Sequence, residues 1–117
     1  MSIRRINPGA RSCGAAVHGN TVYVAGRTAS DPSADARGQT EQVLQKIDDL
    51  LTAAGTDKSK LLSAMVYLSD IRHFGEMNVA WEAWIDKTNP PTRATIEARL
   101  ADPRFLVEVV VVAALSG

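Results

Sequence analysis

The sequence lacks most of the features that identify secreted, membrane-spanning or nucleic-acid-binding proteins. Its only cysteine is Cys13, which cannot form an internal disulfide, as is typical of a protein in a reducing compartment. Thirteen Lys and Arg balance thirteen Asp and Glu, and no basic run supplies the clustered cations that nucleic-acid binding requires. The longest apolar run, FLVEVVVVAAL at 105–115, is interrupted by a glutamate and is shorter than the ~20 residues that span a bilayer. The N-terminus has no signal-peptide core, so we expect a soluble, cytoplasmic protein that does not contact a membrane.

Motifs for metals and cofactors are also missing. The two histidines, His18 and His73, fall in a predicted turn and near a predicted helix start, and no Cys, His, Asp or Glu cluster has metal-ligand spacing. No glycine-rich loop of the kind that cradles phosphates is present. Nothing near Cys13 would activate a thiol, so we interpret it as a small buried side chain. We expect no metal and no cofactor.

The apolar periodicities predict a single α+β domain over residues 1–117. Hydrophobic residues make up 45% of the chain and charged residues 22%, as in ordinary globular domains of this length. Alternating and 3.6-residue patterns predict strands at 2–6, 14–17, 21–25, 62–68, 92–99 and 105–114, and helices at 34–54 and 72–86. Gly19-Asn20 is the turn of a hairpin, and Gly26 is predicted to end its second strand.

This order of elements favours two layers, with both helices on one face of a mixed sheet. The other face would then have no cover. The last strand has aliphatic residues at both odd and even positions, so both of its faces require burial. We therefore expect the domain to associate with copies of itself.

Three polar residues break the apolar patterns and are candidates for a functional site. Glu108 stands alone among valines, and a carboxylate there either has a cation as partner or faces solvent at a sheet edge. Asn78 lies on the apolar stripe of the second helix, where it is either a core amide bonded to a loop or a site residue. Arg93 follows two prolines, and its planar guanidinium either is solvated or binds a carboxylate through two hydrogen bonds. The pair Trp81 and Trp84 is interpreted as core.

Arg93 and Glu108 lie on consecutive predicted strands joined by a short turn at Ala101-Asp102-Pro103. If these strands pair as a hairpin, the two side chains line one region of the sheet. The sequence does not fix their register.

Four segments resemble the RidA/YjgF family of small imine deaminases, which was formerly described as translation-inhibitor endoribonucleases. They are GNTVYVAGRTA (19–29), FGEMNVAWEAW (74–84), PTRATIEARL (91–100) and VEVVVVAAL (107–115). The spellings MNVAWEAW and VEVVVVAAL look most like the YoaB-type branch of that family.

The resemblance implies a chorismate-mutase-like α+β fold, assembled as a homotrimer with a central barrel and ligand clefts between subunits. It also implies roles for four residues. Arg93 would bind the carboxylate of a 2-imino or 2-enamino acid, and Glu108 would place and activate water. Asn78 would face the cleft, and Gly26 would contribute backbone to it.

Three positions depart from the family pattern. Thr95 stands where RidA itself commonly has a cysteine, and Ser12 stands where an aromatic residue is usual. Arg27 replaces a glutamine after the strand-end glycine. We expect all three to line the pocket and to alter its size and polarity, which affects the substrate more than the chemistry.

The function that the resemblance implies is cofactor-independent hydrolysis of an imine to a 2-keto acid and ammonia. Two alternatives stay open. One is a non-catalytic trimer that binds small carboxylate metabolites. The other is an endoribonuclease or RNA-linked role, which the neutral composition does not favour.

Overall fold

The computed structural model describes all 117 residues, which form one six-stranded mixed sheet and two α-helices. No helix has the length and the apolar character that crossing a membrane would require. The strands are β1 (Ile3–Ile6), β2 (Ala15–His18), β3 (Thr21–Arg27), β4 (Leu61–Leu68), β5 (Thr92–Glu97) and β6 (Val107–Ala114), and the helices are α1 (Ala36–Ala54) and α2 (Phe74–Trp84).

Helix α1 confirms the periodicity that predicted it. Asp35 caps its first turn, where the carboxylate accepts a hydrogen bond of 2.8 Å from the backbone N–H of Gly38. Gly55 ends it in the left-handed conformation, with φ of 93°, which a residue without a Cβ adopts readily. The predicted apolar stripe is buried in the core: Val43, Ile47, Leu50, Leu51 and Ala54.

Helix α2 is shorter than predicted because both ends take other conformations. The carboxylate of Asp70 caps a short 3₁₀ turn at Ile71–His73 before the α-helix starts. At the other end, Ile85 is already extended, so the helix stops well before the prolines at 90 and 91.

Three strand boundaries differ from the prediction by two residues, and one of them is the end of β5, at Glu97 rather than at 99. Gly26 does not end β3, because a β-bulge between Val24 and Arg27 lets the strand continue pairing with β6. Strand β6 begins at Val107 rather than at 105, since Asp102 holds the preceding residues in a turn and accepts a hydrogen bond from the backbone N–H of Phe105.

Strands β5 and β6 do not form the hairpin that their short connection allowed. The strand order is β1-β2-β3-β6-β4-β5, so β4 lies between them. Helix α2 provides the crossover that makes β5 parallel to β4. Strand β6 then inserts between β3 and β4, antiparallel to both. In this position the valine-rich strand β6 pairs with β3 along one edge and with β4 along the other.

The sheet has a helix-covered face and a bare face. Alternate residues of β6 (Val107, Val109, Val111 and Ala113) are buried under the helices, together with Met77 and Trp81 of α2. The opposite face contains Glu108, Val110 and Val112 of β6, and it leaves Tyr23 and Ile96 53% and 45% exposed. The predicted two-layer arrangement with one bare apolar face is therefore confirmed within the chain.

Candidate functional site

Arg93 lies on the edge strand β5, beside Ala64 and on the helix-covered face. One terminal nitrogen of its guanidinium, Nη1, donates a hydrogen bond of 2.8 Å to Oδ1 of Asn78 on α2. The guanidinium carbon lies 5.2 Å from the centre of the Trp81 ring and 5.8 Å from that of Phe74. Helix α2 thus holds the cation from one side by an amide and two aromatic rings.

Partial burial of the Arg93 side chain affects its pKa. Desolvation by burial lowers the pKa of Arg93 below its ordinary range, and the negative charge of Glu82 opposes that shift. No carboxylate lies within ion-pair distance of the guanidinium. Nη1 also donates to the sulfur of Met77 at 3.8 Å, whereas Nε and Nη2 have no acceptor in the chain and can bind a planar carboxylate.

Asn78 bonds to Arg93, so it is not an amide bonded to a loop. Its Oδ1 atom is the acceptor, and its amide nitrogen has no acceptor within the chain. The nitrogen is thus a second donor beside the guanidinium, oriented by the same helix.

Thr95 lies two residues along β5 on the same face as Arg93, opposite Val66 of β4. Its hydroxyl oxygen is buried and has no hydrogen-bond partner. A buried hydroxyl without a partner is unfavourable, so Thr95 has unused hydrogen-bonding capacity two residues from Arg93.

Glu108 and Gly26 face each other on the bare side of the sheet. A Cβ atom at position 26 would overlap the Glu108 carboxylate and would lie 3.3 Å from Cγ2 of Val110. A residue with a Cβ at this position would therefore displace the Glu108 carboxylate. Glu108 is half-buried and makes neither an ion pair nor a hydrogen bond within the chain.

Arg93 and Glu108 do not meet in one chain. Arg93 is on the helix-covered face, whereas Glu108 pairs with Tyr67 and is on the bare face. The hairpin that could have brought them together does not form, since β4 separates their strands and the sheet separates their side chains. The chain contains two half-sites: Arg93 with Asn78 and Thr95, and Glu108 with Gly26.

The other two predicted residues lie apart from both half-sites. Arg27 pairs with Val109 and so is on the helix-covered side, across the sheet from Glu108. Ser12 is exposed in the loop between β1 and β2, at the opposite edge of the sheet from β5, and lines a depression of about 250 Å³ with Arg5 and Arg11. We expected both residues to line the Arg93 pocket, but within one chain neither of them does.

Two residues at the guanidinium were not singled out from the sequence as site residues. Phe74 and Trp81 were assigned to the apolar stripe of α2, and Trp81 is indeed buried. Phe74 is 43% exposed. The sequence signal for Phe74 was its position on α2, four residues before Asn78 and therefore on the same helical face.

The single cysteine and the potential metal ligands do not form a further candidate site. Cys13 is half-buried rather than buried. No group of three or more His, Cys, Asp or Glu side chains is arranged to hold a metal ion.

Comparison with known proteins assigns the chain to a family. The family model described as Endoribonuclease L-PSP matches residues 3–115. A RutC family protein from Haemophilus influenzae is 42% identical over 114 residues, which is 97% of this chain and 98% of that protein. The RutC family protein YoaB from Escherichia coli is 39% identical over 115 residues, which is 98% of this chain and 100% of that protein.

A solved structure agrees with this assignment. A member of the YjgF protein family from Neisseria meningitidis superimposes with a TM-score of 0.97 at 34% identity, covering 100% of this chain and 98% of that one. Its similarity extends through both helices and all six strands described above. The chain belongs to the RidA/YjgF family, and within it to the YoaB-like branch.

Proposed function

We propose that this protein hydrolyses reactive 2-imino or 2-enamino acids to 2-keto acids and ammonia. The observation that supports this most is Arg93: a half-buried guanidinium without a carboxylate partner, oriented by Asn78 and flanked by Phe74 and Trp81. Such a group matches the one feature that all these substrates share, a carboxylate next to the imine carbon.

The substrate carboxylate accepts hydrogen bonds from the free N–H groups of Arg93. The amide nitrogen of Asn78 is a further donor to it, and the Thr95 hydroxyl, which lacks a partner, lies toward the substrate carbon. Holding the substrate at these points lowers the entropy cost of orienting it for reaction with water.

Glu108 is the proposed base. It takes a proton from water as the water oxygen bonds to the imine carbon, and that proton passes to the nitrogen. Glu108 then takes the hydroxyl proton of the carbinolamine and delivers it to the nitrogen, so that the C–N bond breaks and ammonia leaves a 2-keto acid. Proton transfer by a positioned side chain typically contributes about 10²–10⁴-fold to the rate. No cofactor or metal takes part in this scheme.

This scheme requires a second copy of the chain, because Arg93 and Glu108 are on opposite faces of one sheet. We propose a homotrimer in which the bare faces form a central barrel and Glu108 of one copy approaches Arg93 of the next. The apolar residues of the bare face support such an assembly, since about 25 cal/mol is gained per Å² of apolar surface removed from water.

The test uses 2-aminoacrylate, generated from serine by a dehydratase, with keto-acid release followed in the presence and absence of the protein. We expect acceleration by the wild type and at least ~10²-fold loss of kcat/KM in Arg93→Ala, because charge-assisted hydrogen bonds are lost. Arg93→Lys also loses activity, since an ammonium lacks the planar fork. Arg99→Ala, which changes an exposed arginine in the loop after β5, is the matched control. Equal rates for wild type and Arg93→Ala would refute the proposal for this substrate.

The same Arg93 geometry would serve a trimer that binds small carboxylates and converts none of them. That alternative predicts keto-acid binding that is lost in Arg93→Ala, with no acceleration of any imine tested. The name of the family model raises RNA cleavage as another candidate. That candidate predicts salt-sensitive RNA binding by nuclease-free protein, and equal numbers of acidic and basic residues do not favour it.

A further inference from the structure

A pocket separate from both half-sites lies between α1, the end of β3 and the residue after β1. It encloses about 250 Å³ and is lined by Asn7, Arg27, Lys46, Asp49, Leu50 and Ala53. Arg27 is on β3 and Arg93 is on β5, and two strands lie between them. At ~4.8 Å between neighbouring strands, the two arginines are roughly 14 Å apart across the sheet.

Two cations share this pocket. The Lys46 ammonium donates a hydrogen bond of 2.6 Å to the carbonyl oxygen of Thr28, and the Arg27 Nε donates to the carbonyl oxygens of Ala25 and Gly26 at 3.3 and 3.0 Å. Both terminal nitrogens of the Arg27 guanidinium are left without an acceptor in the chain. Desolvation lowers the pKa of Lys46, and the positive charge of Arg27 lowers it further. The fold thus holds two like charges together, and a bound anion would relieve their repulsion.

The only acid in the pocket lining does not neutralise these cations. Asp49 lies within 4.0 Å of neither ammonium nor guanidinium, and its carboxylate accepts a hydrogen bond of 3.1 Å from Nε2 of Gln45. The pocket therefore has separated positive and negative groups, with the apolar Leu50 and Ala53 in the same lining.

We propose that this pocket binds a small apolar α-amino acid. The ligand carboxylate contacts Arg27 and Lys46, its ammonium contacts Asp49, and its side chain lies against Leu50 and Ala53. A doubly charged oxyanion such as phosphate fits less well, because the Asp49 carboxylate repels it. The proposed imine chemistry requires none of these residues, so a failure of either proposal leaves the other unaffected.

The experiment is calorimetric titration of the wild-type protein with L-alanine, and with acetate, methylamine and inorganic phosphate as partial probes. We expect L-alanine to bind more tightly than any of the three, because only it satisfies both charges. Arg27→Gln and Lys46→Gln weaken the binding of L-alanine at least about tenfold, as expected for the loss of one charge-assisted hydrogen bond. Arg37→Gln, an exposed change in the first turn of α1, leaves binding unchanged.

Two further variants make the proposal specific. Asp49→Asn weakens L-alanine binding and strengthens phosphate binding, because it removes the ammonium partner and the repulsion together. Arg93→Ala binds L-alanine as the wild type does, which separates this pocket from the proposed reaction site. Thermal unfolding of each variant checks that it is folded. Tighter binding of phosphate than of L-alanine by the wild type would overturn the proposal. So would loss of L-alanine binding in Arg93→Ala, or no binding of L-alanine at millimolar concentration.

Discussion

Arg93 and Glu108 are on opposite faces of the same sheet: Arg93 is beside Ala64 under the helices, and Glu108 is beside Tyr67 on the bare face. Neither has a charged partner within the chain. Each chain therefore carries an unpaired cation and an unpaired anion that are separated by its own sheet.

The first prediction concerns mixed oligomers. Arg93→Ala and Glu108→Gln are each expected to be inactive, because each lacks one half of the reaction site. When the two variants are unfolded and refolded together, a ring in which Arg93 of one copy meets Glu108 of the next regains intact sites. Random mixing restores about a quarter of the wild-type activity. Keto-acid release measures the recovery.

Two controls accompany that experiment. Each variant refolded alone should stay inactive, and light scattering should give about three times the chain mass of 12.6 kDa for all samples. A trimer that recovers no activity on mixing would mean that one chain supplies both residues, contrary to the two-faced arrangement.

The second prediction concerns the close approach of Gly26 and Glu108. In Gly26→Ala, the added methyl group overlaps the Glu108 carboxylate and forces it to move. We expect activity to fall on the order of 10²-fold, the usual effect of misplacing a reacting group by about 1 Å. Thermal unfolding should change little, since the carboxylate can rotate toward solvent.

Gly75→Ala is the matched control for Gly26→Ala. Gly75 is exposed in the first turn of α2, and a Cβ there meets nothing within 4 Å. We expect it to stabilise the protein by roughly 0.5–1 kcal/mol, because alanine is the better helix former. Full activity in both variants would show that the position of the Glu108 carboxylate does not matter.

The third prediction separates stability from activity at Thr95. Thr95→Val removes a buried hydroxyl that has no partner, so we expect the free energy of unfolding to rise by about 1 kcal/mol. Activity should fall, because the same hydroxyl is proposed to contact substrate. Denaturant unfolding and kcat/KM measure the two effects.

Thr40→Val provides the contrast for that variant. The Thr40 hydroxyl is buried and donates a hydrogen bond of 2.7 Å to the carbonyl oxygen of Ala36, so its loss should destabilise the protein by about 1 kcal/mol. If Thr95→Val is destabilised as much as Thr40→Val, the Thr95 hydroxyl has a partner and its proposed role fails.

The fourth prediction concerns acid stability and Asp102. Hydrogen bonds from the Arg104 side chain, and then from its backbone N–H, lower the pKa of Asp102 from 3.8 to about 2. The folded-state pKa lies below the unfolded one, so the stabilisation is complete above about pH 4 and is lost as the pH falls through about 2. Wild type should therefore unfold at a higher temperature than Asp102→Asn at neutral pH.

The difference in unfolding temperature between these two proteins should shrink between about pH 4 and about pH 2. Asp70, whose pKa is also lowered to about 2 by hydrogen bonds from Arg72, should behave in the same way. A constant difference across this range would show that Asp102 acts through something other than its charge.

Local patterns were enough to predict most of the elements. The stripe from Val43 to Ala54 and the stop at Gly55 identified α1, because helix periodicity and a left-handed cap are encoded within a few residues. The bulge at Gly26 was missed, since it lies in the pairing of β3 with β6, which is about eighty residues later in the chain.

The candidate site was predictable by residue type but not by arrangement. Arg93, Asn78 and Glu108 were visible as polar residues in apolar patterns, and Arg93 does contact Asn78. The neighbours of β5 could not be predicted, because the insertion of β6 beside β4 brings together segments that are far apart in the chain. The face of each strand depends on that pairing, so the separation of Arg93 from Glu108 could not be inferred.

The position of β6 in the centre of the sheet has a consequence for biosynthesis. The ribosome makes this strand last, yet it joins the β1-β2-β3 half of the sheet to the β4-β5 half. Until residues 107–114 emerge, both halves have an open edge that the nascent chain itself cannot cover. The sheet therefore stays incomplete until this strand emerges, and a stop codon before Val107 would leave two separate fragments of sheet rather than a smaller version of the fold.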